Sequence, residues 1–164
     1  TKGLFHQNRP ESNKMKIVYL HGRMSSPNSY KSQVLEDAGH EVFAPALRST
    51  DWEQSVNAAN NMIADVEPDL VIGSSRGGAV AMATNTMVPT ILICPAWGKY
   101  CPWGAARGST VILHAKSDRI VPISDSKLLS KTFGCELIEI GKDHRMNDDD
   151  AIDTLLNLVK KYEG

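Results

Sequence analysis

This 164-residue chain has no charge excess, no membrane-length apolar run and no cysteine framework. Lysine and arginine number 18 against 19 aspartates and glutamates, a net charge of −1. Nucleic-acid binders concentrate basic residues, so this balance argues against a DNA or RNA partner. No apolar stretch approaches the ~20 residues that cross a bilayer, so a membrane partner is not expected either. Cys94, Cys101 and Cys135 are an odd number, without a Cys-x-x-Cys pair or zinc-type histidine spacing. They are expected to be buried free thiols in a reducing, cytoplasmic compartment, and neither a metal nor a cofactor is expected. Residues 1–14 are polar and lack the apolar core of a signal peptide. They are expected to form a flexible N-terminal extension or a remnant of expression, with one domain over residues 15–164. No repeat, low-complexity tract or linker divides that domain. Its 41% hydrophobic and 23% charged residues exclude a disordered chain.

What the chain does have is regular alternation of short apolar runs with amphipathic ones. Lys16–Leu20, His40–Ala44, Asp69–Ile72, Thr90–Cys94, Thr110–His114 and Glu136–Ile140 read as six strands. Helices are predicted between most of them. One starts at Ser26-Pro27. A second starts at a capping box of Thr50 and Glu53, with Trp52, Val56, Ala59, Ile63 and Val66 on its inner face. Further helices follow the third, fifth and sixth strands. Strands separated by helices predict an α/β fold, doubly wound on an all-parallel sheet with helices on both faces. Pro95–Ser109 is the one long stretch without a pattern.

The chemistry concentrates at Gly73-Ser74-Ser75-Arg76-Gly77, a G-x-S-x-G between a strand and a helix. Only Ser75 fits the frame, on a tight turn that lifts its oxygen out of the sheet edge to a helix N-terminus. A serine needs a base within hydrogen-bond reach and an acid to orient that base. Asp118 lies just after the fifth strand and His144 just after the sixth, where open α/β sheets gather their functional groups. Acyl transfer also requires backbone amides facing the developing oxyanion. The amide of Arg76 is one candidate. The loop His21-Gly22-Arg23-Met24 supplies the other, from Arg23 or alternatively Met24.

On His21-Gly22, Gly73–Gly78, His114–Pro122 and Gly141–Met146, the chain resembles the alpha/beta-hydrolase superfamily. Its likeness is to the small, uncapped serine esterases and dienelactone-hydrolase-like proteins. The resemblance implies Ser75 as nucleophile, Asp118 as orienting acid, His144 as general base, and metal-independent hydrolysis. The strands that usually open the larger sheet are missing, so the expected order is 2-1-3-4-5-6. No lid is inserted, and an arginine follows the nucleophile where small or apolar residues, or glutamine, are familiar.

The expected partner is a small-molecule ester or thioester. Its pocket is expected to come from the Pro95–Ser109 loop, where Trp97, Tyr100 and Trp103, with Met24 opposite, could wall an apolar group. The tryptophans equally could cover core edges. Arg23 and Arg76 flank the oxyanion site, where they would either bind a substrate carboxylate or phosphate, or point to solvent or pair with acids. His21 and His114 also lie at strand ends, in structural roles. Two rivals stay open. One is a hydrolase-fold binding protein with a vestigial or weakly active triad. The other is a flavodoxin-like phosphate binder using Gly73–Gly78, which leaves Asp118 and His144 unexplained.

Overall fold

Runs of β-branched and aliphatic residues become strands buried on both faces. Ile17, Val18, Tyr19 and Leu20 are all buried, as are Leu70, Val71 and Ile72. The computed structural model describes residues 14–84, 86–107 and 109–163. The N-terminal extension expected over residues 1–14 lies outside the described residues, Lys14 excepted.

In chain order the elements are β1 (Lys16–Leu20), α1 (Tyr30–Asp37), β2 (Glu41–Phe43), α2 (Trp52–Val66), β3 (Leu70–Ser74) and α3 (Arg76–Ala83). They continue with β4 (Thr90–Ile93), α4 (Trp97–Tyr100), β5 (Thr110–His114), α5 (Ile123–Phe133), β6 (Glu136–Glu139) and α6 (Asp149–Lys160). The six strands form one sheet with every pair parallel, as the sequence pattern predicts, in the order β2-β1-β3-β4-β5-β6 that the family resemblance implies. Alternate side chains feed two cores. Ile17, Tyr19, Ile72, Ile91 and Ile93 pack with Leu35 of α1 and Leu155, Leu158 and Val159 of α6. Val18, Leu20, Val71, Leu92 and Ile112 pack with Ala59 of α2, Val80 of α3 and Leu129 of α5.

The helix starts differ from the sequence expectation. The first helix begins at Tyr30 with Ser29 as its cap, its Oγ accepting the Ser32 amide at 3.2 Å. Ser26-Pro27 stays in the preceding loop, where the Pro27 carbonyl accepts the Ser32 hydroxyl at 3.0 Å. At α2 the capping frame moves by one residue. Asp51 rather than Thr50 accepts the Gln54 amide, at 3.0 Å, and Gln54 Oε1 accepts the Arg48 amide at 2.9 Å. A carboxylate is the stronger acceptor for a free helix amide, which favours this frame. The strand expected to stop at Ile72 runs on to Ser74. The Pro95–Ser109 stretch carries one short helix, α4.

Helix α3 lies unusually close to the sheet. A Cβ at Gly77 would run into the carbonyl oxygens of Leu20 and His21, and one at Gly73 would meet the backbone of Gly77 and Gly78. Main chain therefore touches main chain where β1, β3 and α3 meet. Because backbone cannot move aside as a side chain can, Gly77→Ala is expected to lower unfolding free energy by about 3 kcal/mol or more. Gly134 is the control. It ends α5 at φ 71° with open space around its Cβ position. Gly134→Ala should cost only about 1 kcal/mol of left-handed strain. Urea denaturation midpoints of the two variants check both values.

Candidate active site

The sheet's carboxyl edge collects the loops after β1, β3, β4, β5 and β6. Between β3 and α3 sits Ser75, at φ 56° and ψ −117°, a conformation that costs a non-glycine residue energy and persists only when its surroundings hold it. They do. Its amide donates to the Ile93 carbonyl at 2.8 Å, and its carbonyl accepts the amides of Ala96 and Gly78, each at 3.0 Å.

Ser75, Asp118 and His144 stand in one hydrogen-bonded line. His144 Nδ1 is 2.7 Å from Asp118 Oδ2, and His144 Nε2 is 2.8 Å from Ser75 Oγ. An ionised carboxylate can only accept, so Nδ1 carries the proton and Nε2 offers its lone pair to the serine hydroxyl. Asp118 is held from both sides. Its Oδ1 accepts the amides of Ile120 (2.7 Å) and Val121 (2.9 Å), and its Oδ2 also faces His114 Nε2 at 3.2 Å. Burial pushes the Asp118 carboxyl up, but the bond from His144 and the two amides outweigh it and hold it below the usual aspartate range.

His114 is fully buried. The Val121 carbonyl, 2.9 Å from its Nε2, requires a proton there, so its Nδ1 accepts from the Ser126 hydroxyl at 2.6 Å. Burial keeps this imidazole below its ordinary pKa, outweighing the bonds to Val121 and Asp118. Cys94, His114 and Asp118 present ligand atoms within 4.8 Å of one another, the spacing of a metal site. Each of those groups is already committed. Both Asp118 oxygens and both His114 nitrogens have protein partners, and burial pushes the Cys94 thiol up, away from the thiolate a metal takes. His21 is structural. Its Nε2 accepts the Leu47 amide at 3.0 Å, and its Nδ1 donates to the Gly22 carbonyl at 2.8 Å.

The two arginines part company. Arg23 is exposed beside Gly22, whose Cβ position would lie 3.4 Å from Ser75 Cβ, so this loop runs against the serine. The amide of Arg76 lies in the first turn of α3, where helix amides have no partner within the helix. Its side chain, however, is 2% exposed. Nη1 donates to Ser55 Oγ at 3.0 Å and Nη2 to the Arg48 carbonyl at 2.9 Å. The guanidinium carbon lies 5.6 Å from the ring centroid of Trp52 and 5.5 Å from that of Tyr100, and these rings stack at 5.9 Å. The anion-binding expectation for the Arg76 side chain is therefore corrected. It turns back towards α2 and the β2–α2 loop, where a carbonyl, a hydroxyl and two aromatic rings hold the guanidinium through its Nη groups and its face, while the buried Nε has no hydrogen-bond partner among the described residues. It neither points to solvent nor pairs with an acid.

A cleft of about 790 Å³ opens above Ser75, lined among others by Met24, Tyr100, Ile120 and His144. Met24 is 91% exposed on its rim. Trp97 and Trp103 do not line it, which corrects the expected pocket. Helix α4 turns Trp97 onto the core, where its Nε1 donates to the Asp125 carbonyl at 3.1 Å, and Trp103 is 73% exposed elsewhere. Nor do the walls come from Pro95–Ser109 alone, since the loops after β1, β5 and β6 and the start of α1 also contribute.

Lys31 had no signal in the sequence. At 6% exposure it reaches from α1 to the loop of His144, donating to the Arg145 carbonyl and, at 2.8 Å, to Asn147 Oδ1. Burial pulls its ammonium down to about 8, against Cys94, Asp143 and Asp148, which pull the other way. A lone lysine on a polar helix face reads as solvated, and contacts 114 and 116 residues away leave no local pattern.

Sheet order, nucleophile-type turn and carboxyl-edge cleft define the alpha/beta-hydrolase fold, and solved structures share it. Est1E from Butyrivibrio proteoclasticus superposes with a TM-score of 0.71 at 16% identity, over 96% of this chain and 90% of that one. The esterase domain of a Rhodothermus marinus protein gives 0.67 at 18%, over 94% and 89%. The ydeN gene product of B. subtilis gives 0.66 at 12%, over 90% and 97%. Residues 16–106, just over half of the chain, match the uncharacterised protein family UPF0227, and the chain belongs to that family. No curated protein matches it. Among the described residues no helix is long and apolar enough to cross a membrane.

Two predictions test the electrostatics of the site. Arg76→Ala should lower unfolding free energy by about 2–4 kcal/mol, and Arg76→Lys should recover only part, because an ammonium lacks the planar fork. Denaturant titration of both variants measures this. The Asp118 carboxyl is lowered on folding, so its contribution is present above the unfolded value and lost as pH falls through the folded one. The stability gap between wild type and Asp118→Asn should therefore narrow as pH falls below about 4, read from urea midpoints.

Proposed function

We propose that this chain is a serine hydrolase that cleaves small carboxylic esters or thioesters through a covalent acyl-enzyme. The observation that carries the reading is the line from Ser75 Oγ through His144 to Asp118, at 2.8 and 2.7 Å, with the proton on Nδ1 and the lone pair on Nε2. That tautomer is the one a general base needs. The fold shared with Est1E and with an esterase domain adds support. Three unpaired cysteines suit the cytoplasm as its location.

In this mechanism Ser75 Oγ attacks the carbonyl carbon as its proton passes to His144 Nε2. The amides of Arg76 and Arg23 hold the developing oxyanion, each by a backbone N–H that needs no particular side chain. Asp118 stabilises the imidazolium and keeps the ring from turning. The tetrahedral adduct collapses, the C–O or C–S bond breaks, and His144 returns the proton to the leaving alcohol or thiol. Water then gives its proton to the same nitrogen and attacks the acyl-serine, and collapse releases the acid and restores Ser75.

A fluorophosphonate should label the protein at one site, and Ser75→Ala should abolish both labelling and turnover of p-nitrophenyl esters. Intact-mass spectrometry with peptide mapping reads the site. His144→Ala and Asp118→Asn should each lower kcat by about 10³- to 10⁴-fold, leaving the fold intact by circular dichroism. Folded wild type that takes no label and turns over no ester would be a binding protein on a hydrolase fold.

A further inference from the structure

The cleft above Ser75 is far more basic than the chain. Across 164 residues acids outnumber bases by one, 19 to 18. Yet Arg23, Lys31, Lys99 and Arg145 line this cleft against one carboxylate, Asp125, among the described residues, with the Arg76 side chain turned away. A smaller depression of about 310 Å³, which shares Ile120, His144 and Arg145 with the cleft, adds Arg119 and Lys142 against Asp143. Low-dielectric walls concentrate such a field, and the cations at the rim would draw anions towards the serine.

Lys31 distinguishes this from a rim of solvated side chains. Its ammonium sits in the cleft wall, and both of its hydrogen-bond partners are neutral oxygens, the Arg145 carbonyl and the Asn147 amide. Among the described residues no carboxylate stands within ion-pair distance of it, and Asp143 and Asp148 attract it only from further off. A buried ammonium without a bonded counter-ion is costly, and an anion in the cleft would offset part of that cost. Its charge persists at neutral pH, because burial brings it only to about 8. Arg145 projects from the same loop, one residue after His144, so an anion bound by the pair would sit beside the base.

We propose that the substrate is an ester or thioester bearing an anionic group, a carboxylate or a phosphate, seated by Lys31 and Arg145 while Ser75 attacks the acyl carbon. This rests on the hydrolase reading above. An apolar acyl or aryl portion would lie along Met24, Tyr30 and Ile120, which line the same cleft.

The test is a comparison within pairs of esters that differ in charge. A monoester of adipate is set against its methyl diester, the butyryl ester of 4-hydroxyphenylacetate against that of its amide, and butyryl glycerol phosphate against butyryl glycerol. In at least one pair the anionic member should lead in kcat/KM by about tenfold or more, chiefly through KM. The leading pair distinguishes a carboxylate from a phosphate. The lead should shrink several-fold at about 0.5 M salt, as screening requires. Arg145→Gln and Lys31→Met should each reduce the anionic-to-neutral ratio several-fold. The ratio is the readout because it cancels a general loss of activity from a displaced His144 loop. Ratios near one in all three pairs, with Ser75 labelled and neutral esters turned over, would overturn the proposal and leave the hydrolase reading standing. An unlabelled Ser75 without turnover of any ester would overturn both.

Discussion

The site depends on how closely α3 lies against the sheet. Gly77 rests on the carbonyls of Leu20 and His21, and Gly73 on the backbone of Gly77 and Gly78. At that separation the chain leaving β3 must turn sharply, and Ser75 takes up the turn at φ 56°. Hydrogen bonds to Ile93 and Ala96 tie the turn to the end of β4, so the strain is held by two strands and the helix start together. The same approach presses the loop after β1 against the serine, which sets Gly22 and Arg23 beside it. Nucleophile-type turn and candidate oxyanion loop are thus consequences of one backbone contact.

Two buried cations then secure the surroundings, each by reaching across the fold to neutral acceptors. Arg76 begins α3 and ties it to the β2–α2 loop and to α2 through the Arg48 carbonyl and Ser55. Lys31, in the first turn of α1, ties that helix to the loop that carries His144. Asp118 has the complementary arrangement, an anion whose oxygens are filled by two amides and two imidazoles, and so it holds His144 in one tautomer.

The features legible in the sequence are those with a local cause. Short runs of β-branched and aliphatic residues yield the strands, and β5 falls at Thr110–His114 as expected. The G-x-S-x-G frame singles out Ser75 because only glycine permits backbone on backbone around it. Helix starts were displaced by one to three residues where neighbouring cap formers compete. Asp51 outbids Thr50, and Ser29 acts where Ser26 was expected, because the choice depends on which amide the folded loop brings within reach.

Side-chain direction at the site was not legible, and the arginines show why. Sequence places Arg76 next to Ser75 but says nothing about Ser55, Arg48, Trp52 and Tyr100, which together draw its guanidinium away from the cleft. Trp97 and Trp103 sit in the right loop, yet one turn of helix sends the first into the core and leaves the second outside. Chain periodicity alone determined the parallel sheet and the loops that meet at its carboxyl edge, because those follow from burial patterns a few residues long, whereas the strand order was implied by the resemblance to the alpha/beta-hydrolase superfamily. Which side chains enter the cleft, with Lys31 admitted and Arg76 and the tryptophans excluded, was decided only in the tertiary structure. Those choices turn on partners 21 to 116 residues distant, and no local pattern encodes them.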